Sequence, residues 1–172
     1  MLDIKYNILE DDIKFIKNLN IGNIDDFTCL EGQFEIKIGE NGIGYVDEKI
    51  KMYNELLIFW FLMLNKSILT LEKNNHVIMA IPDRDKKWFV FDRKDDDLVV
   101  KLVITKKNFP KELISTAYLQ NIDKVFWEEK ISYNLLKNVL VKKTNKIIND
   151  LEIINPISVK SNLIIKLREI LK

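Results

Sequence analysis

The sequence is short of the residues on which most recognisable chemistries are built. Its single cysteine, Cys29, excludes an intramolecular disulfide and a multi-cysteine zinc site, and it suits a reducing compartment. Its single histidine, His76, excludes a histidine-based metal cluster. Three of the five glycines, Gly39, Gly42 and Gly44, surround one turn and precede no helix in the order a dinucleotide or P-loop site requires, so no phosphate cradle is expected. The apolar run Leu56–Leu64 spans nine residues, well below the ~18–20 needed to cross a bilayer. Charges at Asp3 and Lys5 fall where an export signal would need an apolar stretch, so a cytoplasmic location is expected.

Charge of one sign is also lacking. Lys and Arg total 27 against 26 Asp and Glu, for a net charge of +1, without the basic footprint of a nucleic-acid binder. The balance is nevertheless uneven: residues 1–105 hold 14 basic and 19 acidic side chains, whereas residues 106–172 hold 13 and 7. Lys137, Lys142, Lys143 and Lys146 have the spacing of a solvent-facing helix surface, and neither arginine clusters nor stacking aromatics accompany them.

What the chain has is 172 residues, 47% of them hydrophobic and 31% charged, enough for one core within one domain, about residues 1–105 plus a helical part at 106–172. Ile4, Tyr6 and Ile8 alternate as in a short strand, and Asp11–Asn18 has the pattern of a helical turn or two. Phe34, Ile36 and Ile38 alternate with Glu35 and Lys37, the period of a half-buried strand, and Glu40-Asn41-Gly42 suits a hairpin turn back into Ile43–Val46. Asp47 stands where an N-cap would, ahead of a helix expected over Glu48 to about Lys66. The second half of that helix is apolar all round and must be covered on every side. Strands are expected at His76–Ile81, Lys87–Arg93 and Leu98–Ile104, joined by short charged turns into an antiparallel meander. Helices are expected at Lys111–Leu119 after Pro110, at about Glu128–Leu151, and at Ser158–Leu171 with Ser158 as N-cap. The fold class is α+β: a meander packed on a central apolar helix, with a helical C-terminal third.

Two readings compete for residues 76–104. Asp83, Asp92 and Lys94 spell the letters of a PD-(D/E)xK nuclease, whose two carboxylates must grip one divalent ion while the lysine helps activate water. On a hairpin with its turn near Arg84-Asp85, Asp92 falls opposite Val77 and the carboxylates stand ~20 Å apart, or ~14 Å with the turn moved by one residue. Neither arrangement shares a metal, so the expectation is no metal, no cofactor and no catalysis. The other reading is an ordinary β-hairpin with solvated, charged turns, whose acidic residues could also form a protein-binding edge. Asp85, Asp92, Asp95, Asp96 and Asp97 supply charge for orientation and on-rate, and Trp88, taken as exposed, supplies an aromatic anchor. His76 is expected at the surface or rim of its strand. A Ca²⁺ loop in the Asp92–Asp97 cluster lacks the glycine and distal glutamate of an EF-hand.

The succession of Phe34–Ile38, Tyr45-Val46-Asp47-Glu48, Glu55-Leu56-Leu57 before Trp60, and Trp88-Phe89-Val90-Phe91-Asp92 resembles the small immunity proteins of bacterial polymorphic and contact-dependent toxin systems. The resemblance is one of layout and aromatic positions over roughly residues 31–105. It implies a cytoplasmic, non-catalytic protein that binds and blocks one cognate toxin domain, with no membrane or nucleic-acid partner, and it transfers no residue-level role. A metal-dependent nuclease and a structural or regulatory subunit are the alternatives.

Overall fold

The computed structural model describes residues 1–24, 30–47, 49–50, 55–106 and 112–172. Cys29, Pro110 and Lys111 lie outside these. The chain opens with strand β1 (Leu2–Ile8) and helix α1 (Glu10–Lys17), in line with the alternation and the helical turns expected there. β1 pairs antiparallel with β2 (Glu31–Ile38), which turns back into β3 (Asn41–Tyr45) and also carries the two-residue β4 (Glu55–Leu56). At the β2–β3 turn, Gly39 has a φ of 63°, and a Cβ there would meet the Glu129 carboxylate at 2.2 Å. Only a glycine lets that carboxylate reach the turn, where it accepts from the Asn41 side-chain amide at 2.6 Å.

Helix α2 (Leu57–Leu71) is the centre of the fold. Leu57, Ile58, Trp60, Phe61, Leu62, Met63 and Leu64 are all buried, because β2, β5, α3 and α4 pack around it. The alternation of β2 delivers Phe34 inward, where it stacks on Trp60 at 4.5 Å and meets Phe61 edge-on. α2 starts later than Asp47 suggests. The Asp47 carboxylate instead holds a turn, accepting from the Lys49 amide and the Tyr45 hydroxyl, and the helix begins nine residues beyond Glu48, which itself lies outside the described residues.

The second sheet has the order β8-β5-β6-β7-β9, all antiparallel: β5 (His76–Ala80), β6 (Lys87–Lys94), β7 (Asp97–Thr105), β8 (Ile114–Ser115) and β9 (Ile122–Ser132). The three-stranded meander stands where the pattern places it. Its inner face, with Val77, Met79, Phe89, Phe91, Leu98, Val100 and Leu102, closes on α2. The molecule is thus α+β, with helix α3 (Tyr133–Ile154) and helix α4 (Asn162–Ile170) completing the core.

Three helix expectations are corrected. Residues 112–119 form β8 and bends that cross the outer face of the five-stranded sheet. Glu128–Ser132 belong to β9, and α3 starts only after Ser132, whose hydroxyl accepts from the Leu135 amide. Pairing with β7 through nine residues of β9 outweighs the helical spacing that continues into α3. Ser158 opens a short 3₁₀ turn and donates to the Leu151 carbonyl, while Ser161 caps α4 through the Ile164 amide.

Candidate functional site

The β5–β6 hairpin fixes where every candidate residue goes. Ala80 pairs with Trp88 and His76 with Asp92, so the turn centres on Arg84, and Asp92 lies opposite His76 instead of Val77. Asp83 and Lys86 take left-handed backbone conformations in that turn, with φ of 53° and 61°. Asp83 therefore stands seven residues along from the row that holds Asp92, or ~24 Å at ~3.4 Å each. The nuclease letters do not converge, and among the described residues no group of three His, Cys, Asp or Glu side chains is placed to hold a metal ion.

The six partner-binding candidates separate to opposite ends of β6. At the far end, Asp92 contacts the His76 Nδ1 at 2.6 Å and faces the Lys101 ammonium at 3.5 Å. His76 is 7% exposed, beneath the Tyr118 ring at 4.0 Å, because the 112–121 segment covers its strand end; it does not sit at the surface. Its Nε2 is enclosed and has no hydrogen-bond partner among the described residues. Asp96 accepts from the Ser132 hydroxyl at 2.7 Å and the Asn134 amide at 2.9 Å, and its carbonyl accepts from the Tyr133 amide. It caps α3, and the amide of Asn134, then the Ser132 hydroxyl, hold its carboxyl below the usual range. Asp97 pairs with Lys130 at 2.6 Å. Asp95 adopts a φ of 56°, and its carbonyl accepts from Arg93 Nε. The carboxylates of Asp92, Asp96 and Asp97 are thus engaged within the protein, a use that local sequence could not reveal.

Asp85 and Trp88 lie at the near end. Trp88 is 5% exposed, not the free aromatic expected. Alternation does turn it to the outer face, with Ile78, Val90 and Val103, but Leu119 packs over them. Beside it the turn is bolted down. Arg84 Nη2 donates to Glu55 Oε1 at 2.5 Å, and Glu55, 5% exposed, accepts from the Trp60 indole at 2.8 Å through its other oxygen. Against the turn lies a cavity of about 400 Å³, lined among others by Phe59, Arg84, Asp85, Lys87, Trp88 and Leu113. Two enclosed donors of these residues, Arg84 Nη1 and Trp88 Nε1, have no hydrogen-bond partner among the described residues.

The same end continues across the sheet. Trp88, Val103 and Val125 form one row over three strands, and Lys87, Ile104 and Lys124 form the next. β9 is the last strand of the sheet, and at this end it presents Val125 (47% exposed) and Phe126 (42%), with Ile122 nearby. The ammonium groups of Lys87 and Lys124 stand 5.6 and 5.0 Å from the Phe126 ring centre. Sequence reasoning missed this group. Its signal is Lys124-Val125-Phe126-Trp127, an apolar aromatic triplet beside a charge, which is strand chemistry.

No protein-family model, curated protein or solved structure matches the chain. Among the described residues, no helix is long and apolar enough to cross a membrane.

Proposed function

We propose that this chain is a protein-binding module that neutralises a cognate toxin domain by direct contact in the cytoplasm, as immunity proteins do, and that it engages its partner with the Phe126 end of the five-stranded sheet. One observation carries the placement: Phe126, 42% exposed and flanked by Lys87 and Lys124, stands on the outermost strand of the sheet. Aromatic anchors ringed by long cationic side chains are the composition of binding hot spots, because a rigid ring buries much apolar area while the charges set orientation. The layout likeness to immunity proteins supplies the kind of partner.

The test asks whether the adjacent reading frame encodes a toxin domain and measures the binding of that domain to the full chain by calorimetry. Sub-micromolar affinity is expected, reduced by Phe126→Ala and by the pair Lys87→Glu with Lys124→Glu, and unchanged by Asp95→Asn. Affinity indifferent to the Phe126 and lysine changes would move the interface elsewhere. Absence of any such binding would dismiss the neutralising role.

A further inference from the structure

β8 lies at one border of the five-stranded sheet and β9 at the other, so the chain between them must cross the outer face. That crossing spans four strand spacings, ~19 Å at ~4.8 Å each. The seven steps from Ser115 to Ile122 reach at most ~25 Å, which leaves little slack. Beneath the crossing, Ile78, Trp88, Val90 and Val103 are buried together, yet none of residues 112–121 is buried itself. The attachments of the segment are few. β8 pairs with β5 at two positions, whereas β6 and β7 pair at eight. The Ala80 amide donates to the Leu113 carbonyl at 2.8 Å, and the Lys106 amide to the Asn121 carbonyl at 3.2 Å. Ile114 reaches the main core and Leu119 the Trp88 cluster, each only half-buried. Tyr118, 72% exposed, lays one face of its ring on His76.

A cover with few buried contacts of its own opens at a lower free energy than the strands beneath it. Because the crossing is nearly taut, its middle cannot lift while both ends hold. β8 is the weaker end, and its release frees the rest. We propose that residues 112–121 act as a strap that opens as one unit, by release of β8 from β5, while the remaining fold stays intact. Closed, the strap hides Ile78, Trp88, Val90 and Val103 and screens His76, the chain's single histidine. Open, it makes all five accessible. Access to this face is thus set by the strap's own equilibrium, and neither state depends on the neutralising role.

Amide hydrogen exchange of the full chain, followed by NMR under conditions where rates report populations, tests this without any substitution. The Ala80 and Lys106 amides donate to strap carbonyls near its two ends, so each is released when the strap opens. Their protection factors should match each other and fall roughly 100-fold below those of the best-protected amides of β6. Low concentrations of urea should change them far less than they change the β6 values, because opening exposes much less surface than unfolding. Leu119→Ala weakens the closed state alone and should speed both amides several-fold, by one common factor. If Ala80 and Lys106 exchange as slowly as β6, and with the same urea dependence, the strap yields only with the whole fold and the proposal falls. It falls equally if Leu119→Ala speeds one amide and not the other, since the two ends would then fray separately.

Discussion

The two ends of strand β6 use charge in opposite ways. At the Asp95–Asp97 end, carboxylates are spent on the fold: Asp96 holds the first turn of α3, Asp97 meets Lys130, and Asp92 sits on His76. At the Arg84 end, one buried carboxylate, Glu55, fixes the turn, and the neighbouring donors and aromatic groups are left unmatched or uncovered. A dense run of like charge can thus serve the fold, because a turn that must cap a helix also collects acidic residues.

Glu55→Ala should break the near end most severely. It leaves the partly buried Arg84 guanidinium and the buried Trp60 indole without their shared acceptor, and the expected loss is about 3 kcal/mol of stability in urea unfolding. Phe126→Ala should leave stability nearly intact yet cost on the order of 2 kcal/mol in binding the toxin domain, measured by calorimetry. Equal losses in both measurements would erase the distinction between a structural turn and a binding edge. At the far end the prediction concerns pH. Because hydrogen bonds depress the Asp96 carboxyl in the folded state, its contribution is present above the unfolded carboxylate's range and disappears as pH falls through the lowered folded value. Asp96→Asn should therefore lose less stability between neutral and acidic pH than the parent chain, read from urea midpoints at each pH. The smallest effect belongs to Asp97→Asn. Its partnership with Lys130 is solvent-exposed on both sides, so the change should stay within about 0.5 kcal/mol.

Much of the fold is legible in local pattern. The all-round apolar character of Leu57–Leu64 demands burial on every side, and the two-residue period of Phe34–Ile38 demands a sheet. β9 is not legible, because its exposed residues lack alternation and its last turn of sequence runs into the spacing of α3. Neither is the segment across the outer face, since nothing in Glu112–Leu119 announces that it will cover Trp88 and His76. Of the site, sequence brings Asp85 and Trp88 to the same end of the hairpin. The rest depends on partners distant along the chain: Glu55 for Arg84, Ser132 and Asn134 for Asp96, and Lys124 on β9 for the Lys87–Phe126 pair.

The pairing of β7 with β9 slips twice, between Leu102 and Val103 and again between Ile104 and Thr105, so that Phe126 and Asp123 each stand as an extra residue opposite the regular ladder. Such irregularities bend a border strand and disrupt the even row of amide and carbonyl groups that a foreign strand would need for zippering on. At this end of β9 the half-exposed Phe126 ring thus stands where the border is least suited to pairing with another strand.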